Sequence, residues 1–346
     1  MSTGIEWTDE TWNPIVGCTV TSPGCTNCYA MRQAARLLDG NPRTPHYAGT
    51  TKKVNGNAVW TGKVAMAPEK VLLEPYHAKW PKRYFVNSMG DLFHPNVPAQ
   101  WIDRVYAVMA LSPTMTFQIL TKHPEMMQAY WHDVPERWRE IAKQVRTVQE
   151  FNAPDVSSFT KPLANVWLGV SVENQAMADE RIPLLLNTPA ARRFISAEPL
   201  LGPISLRWGG GINYKTKLRT EGSVSQYDAL KLLNWVIVGG ESGKGARPMH
   251  PDWARALRDQ CAEAGIPYFM KQWGEWAPVA PIDDVGEEYA AAILKADESR
   301  CEIVDTGGGI LPDGYLEPVP GSWMMERVGK KAAGCLLDGV EHKAMP

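Results

Sequence analysis

No stretch of this chain is long and apolar enough to cross a bilayer. Its first ten residues, Met1-Ser2-Thr3-Gly4-Ile5-Glu6-Trp7-Thr8-Asp9-Glu10, lack the basic region and apolar run of a secretory leader. The expectation is a cytoplasmic protein with no membrane partner. An excess of one charge is missing too. With 36 Lys+Arg against 38 Asp+Glu the formal charge is -2, so no overall basic field recruits nucleic acid and any such contact has to be local. Phosphate-loop chemistry is also absent, because the Gly-rich run Asp305-Thr306-Gly307-Gly308-Gly309 is not followed by Lys-Ser/Thr. Cysteine is scarce, with six in 346 residues, and in a reducing compartment clustered cysteines bind metal or do redox chemistry more often than they form disulfides.

Three of those six lie within eleven residues, in Gly17-Cys18-Thr19-Val20-Thr21-Ser22-Pro23-Gly24-Cys25-Thr26-Asn27-Cys28-Tyr29. Thiolates are soft ligands, and Gly17, Pro23 and Gly24 let the backbone fold back so that three sulfurs serve one centre. Three ligands do not close a structural zinc site, whereas a cubane iron–sulfur cluster on three cysteines keeps one iron open. A fourth zinc ligand is not at hand nearby, since no Cys or His occurs in the seventeen residues after Cys28. His94, His123 and His250 are the histidines near the other polar loops, candidates for a fourth ligand, an acid/base role or ordinary structural bonding. Cys261, Cys301 and Cys335 show no ligand spacing and read as ordinary small residues.

Downstream, short apolar runs alternate with helical periodicity. The runs are Tyr84-Phe85-Val86-Asn87, Thr116 to Leu120, Val166 to Val170, Arg193 to Ser196, Trp235 to Val238 and Pro267 to Met270. Helices are expected at about 98–111, 124–146, 174–187 and 251–264, with others following Cys28 and Pro68. With a strand near Trp12, this predicts an α/β fold, a partial or complete (β/α) barrel of six to seven parallel strands. The predicted organisation is a barrel over 1–276 with insertions at 40–62, 147–164 and 205–231, then a loop-rich cap or tail over 277–346. The fourteen tryptophans are spread along the chain, which suits packing at least as well as base stacking.

In such a barrel the functional residues come from loops at the strand C-termini. Polar clusters follow the runs: Asn87-Ser88-Met89-Gly90-Asp91, Thr121-Lys122-His123, Ser171-Val172-Glu173-Asn174, Ser196-Ala197-Glu198-Pro199, Gly239-Gly240-Glu241-Ser242-Gly243, and Lys271-Gln272. Some of these residues suit turns and helix caps whatever the function. Acidic groups at four strand ends, Asp91, Glu173, Glu198 and Glu241, would repel one another unless they bound hydroxyls, amines or cations. A ligand with ribose hydroxyls and an ammonium group fits that description.

Three N-terminal cysteines ahead of βα units resemble the radical S-adenosylmethionine superfamily. Trp12-Asn13-Pro14, the cysteine loop, Asn87 to Asp91, Ser196-Ala197-Glu198-Pro199-Leu200-Leu201-Gly202-Pro203 and Val238 to Gly243 look more closely like a phage-associated three-cysteine family, over most of 5–276. The superfamily resemblance implies that Cys18, Cys25 and Cys28 hold a [4Fe-4S] cluster whose open iron binds the amino and carboxylate groups of S-adenosylmethionine. It implies an external electron donor and a 5′-deoxyadenosyl radical that abstracts a substrate hydrogen. By strand order Ser88, Gly90 and Asp91 would meet the methionine amino group, Ser171 and Glu173 the ribose, and Gly239, Gly240 and Glu241 the adenine side, with Glu198 in the same acidic ring. The chain departs from the superfamily in its C-x6-C-x2-C spacing, where C-x3-C-x2-C is usual, and in having Gly90-Asp91 where a Gly-Gly-Glu triplet is expected. A phage setting suggests a nucleotide or nucleic-acid substrate. The alternative is a zinc- or cluster-bearing nucleic-acid-binding protein without radical chemistry. Substrate and oligomeric state do not follow from the sequence.

Overall fold

A computed structural model describes residues 4–148, 162–207, 229–285, 301–310 and 320–346. Most of the insertions expected at 147–164 and 205–231 lie outside the described residues. Seven strands form one sheet: β1 (Glu10–Trp12), β2 (Arg83–Val86), β3 (Thr116–Thr121), β4 (Val166–Ser171), β5 (Arg192–Ala197), β6 (Trp235–Gly239) and β7 (Tyr268–Gln272). Their order in the sheet is their order in the chain. β1–β2, β2–β3, β3–β4 and β6–β7 pair in parallel. β1 and β7 are its edges, so the fold is a partial barrel.

Parallel pairing requires a crossover between neighbours, and helices supply it. Ala99–Ala110 joins β2 to β3, Gln175–Leu186 joins β4 to β5, and Pro251–Ala264 joins β6 to β7. Between β3 and β4 the single expected helix is two, Pro124–Tyr130 and Val134–Val148. Asp133 restarts the second by accepting the Glu136 amide at 3.0 Å through its side chain. The helix expected after Pro68 is likewise two short pieces, Glu69–Leu72 and Glu74–His77, with Pro75 in the first turn of the second. β4 and β6 are buried along their whole length, which is why they read as unbroken apolar runs.

The chain divides into two compact units, Met1–Val170 with Arg181–Phe194, and Ser171–Glu180 with Ile195–Pro346. In the first, Trp12 is fully buried, stands 5.4 Å from the Phe117 ring, and donates its indole N–H to the Val71 carbonyl. The segment 40–62, expected to be irregular, contains a hairpin of Thr51–Val54 with Asn57–Trp60. Asn55 and Gly56, both at positive φ (49° and 78°), form its two-residue turn, so Asn-Gly was the local signal for it. In the second unit, Trp276–Pro281, Cys301–Val304 and Trp323–Arg327 form a three-stranded antiparallel sheet. The exposed edge of β7 is covered by the C-terminal segment, where the Met270 amide donates to the His342 carbonyl at 2.8 Å. Among the described residues ten tryptophans are buried and only Trp80, at 75%, is largely exposed, so their main role is packing. No described helix is long and apolar enough to cross a membrane.

Candidate metal centre

In the first unit the cysteine loop is clasped against the segment that leaves β2. Asn13 Oδ1 accepts the Met89 amide at 2.8 Å and the Ser88 hydroxyl at 3.2 Å. The Gly17 amide donates to the Met89 carbonyl at 3.1 Å, and Gly17 bridges Gly90 in parallel. Neither glycine admits a side chain: a Cβ on Gly17, where φ is +91°, would stand 2.0 Å from the Lys63 carbonyl oxygen, and one on Gly90 would stand 2.9 Å from that of Ile15. This close approach sets Cys18 beside the β2 terminus.

The long first interval, residues 19–24, is taken up by two local ties. Thr19 Oγ1 lies 2.7 Å from His94 Nε2, and a single 3-10 turn, Pro23–Cys25, brings Cys25 back. Cys28 then caps the helix Tyr29–Gln33, with the Ala30 and Met31 amides facing its sulfur. Val16, Met31, Tyr47, Trp60 and Met89 pack around Cys18 and Cys28.

The three thiols lie within electrostatic reach of one another. Burial, then the charge of Asp91 and of the two other cysteines, pushes the Cys18 thiol well above its ordinary value. Burial also raises Cys28, against the pull of nearby amides. Cys25 differs: burial pushes it up, but the Lys122 charge and hydrogen bonds from Thr21 and Ser22 more than offset this, and its net shift is downward. Positive charge placed among them would favour the thiolate form of Cys18 and Cys28, and a metal centre is one source of such charge. Among the described residues no three His, Cys, Asp or Glu side chains are grouped to hold one metal ion. Three cysteines are the number of protein donors for a cubane with one open iron and one short of a closed zinc site.

The candidate fourth ligands are mostly engaged. His94 uses both nitrogens, Nε2 toward Thr19 and Nδ1 as acceptor of the Asn96 amide at 3.1 Å. In the second unit His250 accepts the Asp252 amide at Nδ1 and meets the Gly321 carbonyl at Nε2. His123 keeps one nitrogen unused: Nδ1 meets Glu125, while Nε2 is buried with no hydrogen-bond partner among the described residues.

Three of the four acidic strand ends have hydrogen-bond or ion-pair partners within the protein. Asp91, buried, accepts the Thr121 hydroxyl at 2.7 Å, the Phe93 amide at 3.0 Å and the Lys122 amide at 2.9 Å. In the second unit Glu198 pairs with Lys271 at 2.5 Å and accepts from Ser196 at 3.4 Å. A Cβ on Gly239 would stand 3.2 Å from the Glu198 carboxylate. Glu241, buried, holds Arg247 through three hydrogen bonds, two from the guanidinium and one from its amide. Gly240 lies against the Trp273 carbonyl, 1.9 Å from where a Cβ would stand. Ser171 and Glu173 are buried, and the Glu173 carbonyl accepts the Leu201 amide at 2.7 Å. Asp91, Glu198 and Glu241, expected to need hydroxyls, amines or cations, therefore find such partners within the protein.

Residues 2–346 match the family described as a protein of unknown function, DUF5131. The chain belongs to that family. No curated protein and no solved structure matches it. Cys18, Cys25 and Cys28 therefore fall within the span shared with DUF5131, as do the other cysteines. Those others are scattered over the second unit: Cys261 on the helix Pro251–Ala264, its thiol pushed up to about 12 by burial, Cys301 on a strand, and Cys335 beside Glu341. Sequence reasoning missed Asn13 and Thr19 as parts of this centre, because their partners Met89 and His94 are 75 or more residues away.

Proposed function

We propose that this chain is a radical S-adenosylmethionine enzyme in which Cys18, Cys25 and Cys28 carry a [4Fe-4S] cluster. The reading is supported by the donor set: three thiols within electrostatic reach of one another, two of them raised above their ordinary values, with His94 and His250 hydrogen-bonded through both ring nitrogens and, of the three candidate histidines, His123 Nε2 alone without a hydrogen-bond partner among the described residues. When bound, the cluster supplies one electron from an external donor to split the S–C5′ bond of S-adenosylmethionine, giving methionine and a 5′-deoxyadenosyl radical that abstracts a substrate hydrogen.

The residues of the chain hold and shield. Gly17 and Gly90 keep the cysteine loop against the β2 terminus, and Asn13 fixes Ser88 and Met89. Val16, Met31, Tyr47, Trp60 and Met89 give Cys18 and Cys28, which are partly buried, an apolar backing that would limit the approach of water to a reactive species. Asp91 serves as a brace between the ends of β2 and β3. A nucleotide or nucleic acid remains the proposed substrate class.

Protein reconstituted anaerobically with iron and sulfide should be brown, carry about four irons and four sulfides per chain, and convert S-adenosylmethionine to 5′-deoxyadenosine when reduced. Cys18→Ala, Cys25→Ala and Cys28→Ala should each abolish cluster and product, and Cys261→Ala neither. Stoichiometric zinc without cofactor cleavage would sink the proposal in favour of the zinc-bearing binding protein.

A further inference from the structure

Between Glu10 and Glu69 the chain holds six Lys or Arg and a single acid, Asp39, although its formal charge as a whole is -2. The stretch belongs to the first unit and contains the cysteine loop. Five of its cations, Arg36, Arg43, Lys52, Lys53 and Lys63, are exposed, and none forms an ion pair among the described residues. Elsewhere in the same unit cations are matched: Lys82 pairs with Glu10, Arg83 with Asp9, Arg104 with Glu69, and Arg139 and Lys143 with Glu136 and Glu140. Asp39 accepts the Gly49 and Thr51 amides and the Thr51 hydroxyl, and Lys63 acts on it without a direct bond. Gathered like charges repel one another, and a polyanion relieves that repulsion.

The cations sit on elements that pack together. The helix Tyr29–Gln33 continues through a π-helical turn, Ala34–Leu38, and Ala30, Met31 and Ala34 share a core with Trp60 of the hairpin. The Trp60 amide donates to the Met31 sulfur at 3.2 Å. Lys52 and Lys53 lie opposite Val59 and Ala58 in the hairpin register, so no acid faces them across the ribbon. After the hairpin the Gly62 amide donates to the Cys18 carbonyl at 3.1 Å, and the Lys63 carbonyl lies against Gly17. The basic elements therefore adjoin the cysteine loop. The large apolar side chains that the first unit exposes gather here too: Val20, Tyr29, Leu37 and Val54, with Trp80 outside the stretch. Tyr29, next to Cys28 and 50% exposed, donates its hydroxyl to the Ser88 carbonyl at 3.2 Å, which fixes its ring beside the cysteine loop.

Cations interleaved with exposed apolar and aromatic groups match a strand that carries both phosphates and unstacked bases. We propose that this face, the hairpin with the helix that follows Cys28, docks single-stranded nucleic acid, with phosphates on the five exposed cations and a base on the Tyr29 ring. A duplex keeps its bases stacked and offers none to Tyr29. An anionic lipid surface or an acidic peptide uses the cations but has no need of an aromatic ring beside the cysteine loop. This surface deepens the substrate class proposed above and rests on that reading for its role in substrate delivery, but docking itself is measured without turnover.

The test titrates the reconstituted full chain into fluorescein-labelled oligothymidylate, alone or annealed to oligoadenylate, at about 50 to 200 mM KCl. With all five cations on phosphates, log affinity for the single strand should fall against log salt with a slope of about -3 to -4. Lys52→Gln with Lys53→Gln should weaken binding and flatten that slope by about 1 to 1.5. Arg139→Gln with Lys143→Gln removes the same charge from cations already paired with acids, and should change neither. Tyr29→Leu should weaken the single strand about fivefold or more, the effect of one lost base stack, while Tyr29→Phe stays near wild type. Equal losses in the two double variants would assign binding to overall charge and overturn the surface. Tighter binding of the duplex, or equal affinity for phosphatidylserine vesicles or polyglutamate, would overturn the choice of a single strand. No binding of oligothymidylate at about 100 μM protein and about 50 mM KCl overturns the proposal, and the cluster reading stands if 5′-deoxyadenosine still forms. Strand binding by protein that forms no 5′-deoxyadenosine overturns the radical reading and leaves the docking surface in place.

Discussion

Replacing Asp91 by Asn tests whether this residue braces the site. The carboxylate accepts a hydroxyl and two amides, those of Thr121, Phe93 and Lys122, and it is almost fully buried. The amide oxygen of Asn can keep the Thr121 hydroxyl and the Phe93 amide. Its NH2 then faces the Lys122 amide, donor against donor. One charge-assisted bond is lost and one backbone donor is orphaned, so the expected cost is about 2–4 kcal/mol. The same change removes a charge that raises Cys18, so the Cys18 thiol should fall toward its ordinary value. Urea unfolding of metal-free protein measures the first effect, and pH-dependent alkylation resolved by mass spectrometry measures the second at each cysteine. A variant within about 0.5 kcal/mol of wild type, the usual range for changes that touch nothing, would refute the brace. An unchanged Cys18 profile would refute the electrostatic link.

Gly17→Ala puts a Cβ 2.0 Å from the Lys63 carbonyl oxygen at a positive φ, and should cost about 2–5 kcal/mol. It should also reduce iron retained after reconstitution, whereas Gly40→Ala, with φ +77° and nothing within 4 Å, should bear only backbone strain of about 1–2 kcal/mol and keep its iron. Metal-free protein should lose stability as the solution becomes alkaline. The folded-state values of Cys18, Cys28 and Cys261 are raised above their unfolded values, so their contribution is complete below about pH 8.5 and is lost as pH rises toward the folded values. Cys25, lowered, acts in the opposite sense. Urea midpoints across pH 7–10, read under reductant, should fall, and Cys261→Ala should flatten the slope; a rising midpoint would contradict the assignment.

The sequence by itself determined the alternation of strands and helices. Apolar period and flanking Pro and Gly are local properties, and parallel strands buried on both faces leave an unbroken apolar run, as in Trp235–Gly239. Cys18, Cys25 and Cys28 were legible for the same reason, since their spacing is local. Some breaks were less visible: Asp133 restarts a helix by its side chain inside a stretch that read as one helix, and Asn55-Gly56 closes a hairpin within a polar stretch that read as irregular. Only the tertiary structure decided which polar groups are already satisfied. Asp91 meets Thr121 30 residues on, Glu198 meets Lys271 73 residues on, and Asn13 meets Met89 76 residues on. A carboxylate bonded within the fold and one open to a ligand are the same letter in the sequence, and the difference lies in which distant donors packing brings within about 3 Å. That His123 Nε2 has no hydrogen-bond partner among the described residues is visible only once those partners have been assigned.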